Sequence, residues 1–236
     1  IDAASDGDVI TVSAGTYSES IDFLGKDITV QSTSGAGSTV IDAGGSSDFA
    51  VVFESGEGAD AVLDGFTIEN AGKQGILVDT SSPTLANLRL EDLGSLSLNG
   101  GGIYIEAGAP TISDSTFQNN QAYDGAHIFV DDLSNPEISG STFSGGDAYN
   151  GGAIYLMPAT TIEISDSTIS GNSAYIQGGG IYAGDFTELT FTDTDVTSNS
   201  TGGYSGDSHG GGLFTDVYAT VTISGGEWSS NQTSGG

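Results

Sequence analysis

The sequence predicts an all-β fold, a right-handed parallel β-helix built as a three-sheet solenoid of about 26 residues per coil with an N-terminal cap. Three observations predict it. Apolar positions recur in three columns at a period typical of repeat architectures. A fourth column holds only Gly, Asn and Asp. No segment carries the period of an amphipathic helix. Handedness follows from the rule for crossovers between parallel strands.

The first apolar column is Ile76, Ile103, Ile128, Ile154, Ile181 and Leu213. The second is Leu63, Leu85, Ile112, Ile138, Ile164, Phe191 and Ile223, with successive differences of 22, 27, 26, 26, 27 and 32. The third is Ile68, Leu90, Phe117, Phe143, Ile169, Val196 and Trp228. The step from second to third column is always 5 residues, and that from first to second is 9 or 10. The step from third to the next first varies from 8 to 17. Two corners are therefore fixed, and one connection accepts insertions, as surface loops do.

Midway in the five-residue step stand Gly65, Asn87, Asp114, Gly140, Asp166, Asp193 and Gly225. These residue types reach positive φ at little cost, so the column predicts a left-handed bend. Three residues beyond the third column come Asn120, Gly146, Asn172, Asn199 and Asn231, a turn column whose amides can bond from coil to coil. Asn199 and Asn231 also open glycosylation sequons, which their place in a turn column explains as chance.

The chain reads as one domain over 1–236. Residues 1–60 form the cap and first irregular coils, and 61–236 the regular repeats. The stretch IDAASDGDVITVSAGTYSESI predicts a short helical cap leading into those coils. The absence of an initiator Met and the final SGG, where a repeat would resume, suggest a piece of a longer polypeptide.

Composition narrows the function. With 32 acidic residues, 3 basic ones and a net charge of −29, the surface repels nucleic-acid phosphates and anionic membranes. It attracts cations and suits salty or calcium-rich surroundings. There is no Cys for a disulfide framework, and no apolar run reaches the length of a membrane span.

The repeated GGAIY, followed by F-x-x-N as in Phe117-Gln118-Asn119-Asn120, resembles the repeat pair of chlamydial polymorphic outer-membrane proteins. The wider chain, including GDVITVSAGTYSESI, resembles bacterial right-handed β-helix proteins of the pectate-lyase-like superfamily. Two departures stand out: Gly146 replaces Asn after Phe143, and Ala126-His127 interrupts the Gly run. The resemblance implies the fold strongly and the function weakly. Its members include polysaccharide lyases, glycosidases, phage tailspikes and surface adhesins.

Alternation along the first strand places Leu77, Tyr104, Phe129, Tyr155, Tyr182 and Phe214 outward. The next outward column is Asp79, Glu106, Asp131, Met157, Gly184 and Asp216. Tyr123, Tyr149 and Tyr175 form a second aromatic series in the variable connection. Aromatics at strand spacing stack on sugars or on a protein partner, and equally stabilise a sheet without any ligand. Asp79, Glu106, Asp131 and Asp216 are candidate oxygen ligands for Ca²⁺, or solvated charge at high salt. No cofactor is required by this pattern.

Catalytic signatures are sparse. A pectate-type lyase needs a basic residue beside Ca²⁺, and Arg89, the only Arg, has no basic neighbour in the grid. The two carboxylates of a glycosidase are too easily supplied by any neighbouring acids, such as Glu106 and Asp131 or Asp131 and Asp132, to count as evidence. Gly206-Asp-Ser-His-Gly-Gly reads as a Gly-rich loop, and His127 and His209 are about three coils apart, too far to share a metal. The expected function is an extracellular surface or filament segment, adhesive through a glycan or protein partner or stacked end to end. A carbohydrate-active enzyme or a non-catalytic carbohydrate-binding β-helix is the alternative.

Overall fold

The computed structural model describes residues 1–45, 49–202 and 208–233. All of its named elements are strands, paired in parallel between successive coils. Two sheets have nine strands each: sheet A runs from Val9–Val12 to Thr220–Ser224, and sheet B from Gly15–Tyr17 to Trp228–Ser229. Sheet C, with eight strands, runs from Ile21–Asp22 to Leu213–Thr215. Nine rungs at strand spacing make a rod about 40 Å long.

The three apolar columns are the cores of these sheets. Ile103 pairs with Ile76 and Ile128, Ile112 with Leu85 and Ile138, and Phe117 with Leu90 and Phe143. Their side chains fill the interior, where the Phe117 and Phe143 rings stack 4.6 Å apart, except at the last described rung, where Leu213 and Trp228 are only partly buried and Ile223 is exposed. Every residue of the Gly/Asn/Asp column has positive φ, from 46° at Asp193 to 82° at Gly65. The bend expected there is the corner between sheets A and B.

Two expectations are corrected. The solenoid has four sheets. The connection that accepts insertions carries sheet D, six short strands from Gly94–Ser95 to Gln232–Thr233. Its inward residues are small, Ala122, Ala148, Ala174 and Thr201, so no column of large apolar side chains announces it. Nor is there a helical cap. Residues 1–8 form turns closed by Ala4 N–H on the Ile1 carbonyl and Asp8 N–H on that of Ser5, and Val9–Val12 is already a strand paired with Thr29–Ser32. Eight residues containing Ser5, Asp6 and Gly7 favour turns over a helix too short to nucleate.

Polar ladders bind the corners from inside. At the A–B corner the N–H of Ser115 donates to Ser141 Oγ and that of Ser141 to Ser167 Oγ, at 3.1 Å each. Each of the three hydroxyls returns a bond to the carbonyl two residues before it. Beyond sheet B the Asn column points inward. Asn199 Nδ2 donates to the Ile169 carbonyl and Asn231 Oδ1, while its Oδ1 accepts from the Asn172 backbone and side chain. Asn199 is fully buried, so its side chain is not available to a glycosylating enzyme in the folded rod, whereas Asn231 at the last described rung is only partly buried.

The two departures in the repeat belong together. Gly146 leaves the Asn column without a side chain, and His127, in a column otherwise of Gly and Ala, fills the space. Its Nδ1 accepts from Asn120 Nδ2 at 3.0 Å, and its Nε2 donates to Asn172 Oδ1 at 3.1 Å. The tautomer follows from Asn120, whose Oδ1 accepts from Leu93 N–H and whose amide nitrogen must therefore face the ring. Burial holds the imidazole down at about 4, against the opposing Asn172 bond. At neutral pH it is an uncharged link in the ladder.

Near the N-terminal end the buried Glu57 carboxylate ties three rungs together. It accepts from Gly25 N–H at 2.7 Å, Ser55 N–H at 3.0 Å and the Ser81 hydroxyl at 2.7 Å. Burial pushes its pKa up, but the donors from Ser55, Ser81 and Gly25 outweigh this and hold it below the usual range.

Candidate functional site

Sheet C sets the aromatic column in register, with Tyr104 beside Phe129, Phe129 beside Tyr155, Tyr155 beside Tyr182, and Tyr182 beside Phe214. Ring centroids lie 4.5 to 5.4 Å apart, and the first three pairs are within 4° of parallel. Rings stacked in this way cover each other's faces. Phe129 is only 3% exposed, although its position alternates outward. The Gly turns entering each strand press against the column. At Gly125, φ is 64°, and an added Cβ would lie 2.2 Å from the Ile128 carbonyl and 3.1 Å from Tyr155 Cβ. What this column offers to the outside is ring edge and hydroxyl.

Those hydroxyls engage the acidic column. Tyr104 donates to Asp131 at 3.2 Å and Tyr182 to Asp216 at 2.9 Å. Burial, then the Asp131 charge, raises Tyr104 to about 12. Burial, then the bond to Asp216, pushes Tyr182 up as well. Asp79, Glu106 and Asp131 occupy successive rungs, with Asp79 and Glu106 in direct register. Asp216 is separated from them by the rungs of Met157 and Gly184. Burial, then Asp79 and Asp131, pushes the Glu106 carboxyl above its usual range. Among the described residues no three His, Cys, Asp or Glu side chains converge as the ligands of a metal ion.

Tyr123, Tyr149 and Tyr175 stand on sheet D, with centroids 4.8 and 5.2 Å apart and tilts of 32°. Tyr123 and Tyr175 are exposed, and the tilt opens part of each face. Asn150 Nδ2 donates to Asp124 at 2.9 Å on the same strands, so a polar edge runs beside the rings. Burial raises the Asp124 carboxyl, against the lowering effect of the Asn150 bonds.

Other surfaces contribute less. On sheet A a shallow depression of about 120 Å³ holds Glu137 and Glu163 in register, flanked by Thr111 and Thr190. A wider concavity of about 630 Å³ lies among Ile1, Ile10, Val12 and Ile21 at the first rung. Arg89 pairs with Glu91 of its own strand at 3.0 Å. Gly206 and Asp207 of the Gly-rich loop lie outside the described residues, and His209 bridges to Gln177 beside it.

The sequence reading missed one line of exposed side chains. At the corner between sheets C and A stand Thr80, Ala107, Leu133, Ala159, Phe186 and Tyr218, all with φ between 51° and 65°. Leu133 is 76% exposed, Phe186 59% and Tyr218 75%, and the last two rings stack 5.1 Å apart. Spacings of 26 and 27 residues were the available signal, but the residue types share no feature by which a column would be recognised.

Residues 49–225 match the family model described as right handed beta helix region. No curated protein matches the chain. No solved structure does either.

Proposed function

The chain belongs to the right-handed β-helix family, and from that premise we propose that it serves as a rigid rod, an adhesin or filament segment displayed outside the cell. The observation that carries this reading is the repair of the Asn column. Where Gly146 breaks the ladder, His127 restores it from the neighbouring column, so continuity of the rod is kept even where the repeat lapses. Polar ladders at the corners and stacked rings on sheet C serve the same end. The charge of −29 favours solubility and long-range selection of partners over nucleic-acid or anionic membrane contact.

In this reading the tyrosines of sheet D, exposed Tyr123 and Tyr175 with half-buried Tyr149 between them, are the line that meets a glycan, with Asp124 and Asn150 beside them as hydrogen-bonding partners. The sheet C rings hold the scaffold.

The test couples binding to turnover. Beads coated with the protein are passed over a panel of neutral and acidic polysaccharides, with and without Ca²⁺. Retention without turnover is expected, reduced about tenfold or more by changing the three tyrosines to Ser. Turnover lost on Glu137→Gln or Glu163→Gln would replace the rod by a carbohydrate-active enzyme.

A further inference from the structure

Two corners of the coil carry left-handed columns filled by residues that tolerate that backbone. The A–B bend uses only Gly, Asn and Asp, and the corner beyond sheet B uses Asn70, Asp92, Asn119, Gly145, Gly171, Ser198 and Ser230. The C–A corner has the same backbone, yet places Leu133, Phe186 and Tyr218 there. Each such residue costs about 1 kcal/mol or more relative to Gly. Exposing a large apolar side chain to water gains little in return, and at Leu133 not even the ring stacking that Phe186 and Tyr218 find in each other. These side chains are therefore poorly explained by the fold that carries them.

Leu133, Ala159, Phe186 and Tyr218 occupy four successive rungs, a ridge about 14 Å long at strand spacing. Val217 adds a further exposed apolar side chain. Acids adjoin the ridge residues along the chain: Asp131 and Asp132 directly precede Leu133, Asp185 precedes Phe186, and Asp216 precedes Val217 and Tyr218. Val217 N–H holds Asp185 at 2.9 Å and Asp216 at 3.2 Å. Two of the three basic side chains are engaged elsewhere, Lys26 with the Ile1 and Asp2 carbonyls and Arg89 with Glu91.

We propose that this ridge is a docking line for a partner polypeptide that presents Lys or Arg beside apolar side chains. Charge complementarity selects the occupant. A second copy of this chain would bring another strongly acidic surface against the first, and an anionic membrane would do the same. A neutral glycan would use the rings but leave Leu133 and the acids without a counterpart. A basic apolar segment fits all of them, with cation–π contact to Phe186 and Tyr218. The inference goes beyond the rod reading and does not depend on which surface the rod decorates.

The test uses the whole chain and three synthetic peptides, alternating Lys-Leu, all-Lys and alternating Glu-Leu, followed by fluorescence anisotropy at about 150 mM NaCl. The Lys-Leu peptide is expected to bind about tenfold tighter than all-Lys, and Glu-Leu not at all. The triple variant Leu133→Asn, Phe186→Asn, Tyr218→Asn should lose that tenfold difference. Because Asn tolerates left-handed backbone, its Tm should stay within about 5 °C of the wild type. A larger fall would make the ridge part of the fold and overturn the proposal. Equal binding of Lys-Leu and all-Lys would overturn it too, as plain charge attraction. Amide shifts in the wild type on adding Lys-Leu should centre on Leu133, Phe186, Val217 and Tyr218, and a map centred elsewhere sinks the ridge without touching the rod.

Discussion

The His127 ring occupies the space that Gly146 leaves in the asparagine column, reaching Asn120 at 3.0 Å on one side and Asn172 at 3.1 Å on the other. A Cβ on Gly146 would lie 2.8 Å from His127 Nε2 and 2.0 Å from the Gly152 carbonyl. The ring and the missing side chain thus exclude one another, and the backbone has closed in around the exchange.

Coupling between these positions follows. Gly146→Asn should destabilise the rod by about 3 kcal/mol or more, through overpacking and displaced hydrogen bonds. His127→Gly should cost about 2–4 kcal/mol, by opening a cavity and stranding the Asn120 amide. The double variant should recover part of the summed loss, since the ring clash is gone while the Gly152 carbonyl must still move. Urea midpoints of all four proteins measure this, and strict additivity would deny the exchange.

Acid acts on the same residue. The His127 pKa falls from 6.5 to about 4 on folding, so the unfolded chain binds a proton that the fold refuses. This stability is intact above about pH 6.5 and is lost as pH falls toward 4, by on the order of 3 kcal/mol in total. Around the ring stand Asn120, Asn172, Phe117 and Phe143, none of which titrates to compensate. Denaturation at pH 7 and pH 4.5 should show a larger loss for the wild type than for His127→Gln. Equal losses would place the acid sensitivity elsewhere.

This exchange also marks what the sequence could tell. The three apolar columns and the left-handed A–B bend were legible because each repeats one chemical demand, bulk inside or tolerance of positive φ. Gly146 and His127 were visible as separate departures, but pairing them needs the distance between two turn columns, which spacing alone does not supply. Sheet D escaped because Ala122, Ala148 and Ala174 look like loop residues when the eye seeks large apolar side chains. Outward alternation was read correctly at Phe129 while its burial was not, since alternation ignores the stacked neighbours that cover a ring.

Glu57 is a buried carboxylate held by two backbone N–H groups and the Ser81 hydroxyl. Glu57→Gln turns one acceptor oxygen into a donor facing donors, and should cost about 2–3 kcal/mol. Because its folded pKa is lowered, the wild-type contribution is present above the unfolded value and disappears as pH falls through the folded one. Hydrogen exchange should report the loss first at the Gly25 and Ser55 amides. Unchanged protection there would mean that the carboxylate does not tie the first rungs.

The acidic column works against the fold that carries it. Glu106 lies between Asp79 and Asp131 on successive rungs, and its raised pKa says that the folded rod favours its protonated form. That contribution is present at low pH and lost as pH rises through the folded value. Glu106→Gln should therefore raise Tm at pH 7 and low salt, and added NaCl should raise the wild type more than the variant, because screening relieves the same repulsion. Calcium separates the two readings of this column. If the carboxylates are only mutually repelling charge, CaCl₂ and NaCl at equal ionic strength should raise the wild-type Tm alike, which is the result expected from side chains that do not converge on one point. A calcium increment beyond NaCl, absent from Glu106→Gln, would instead make Asp79, Glu106 and Asp131 ligands of the ion.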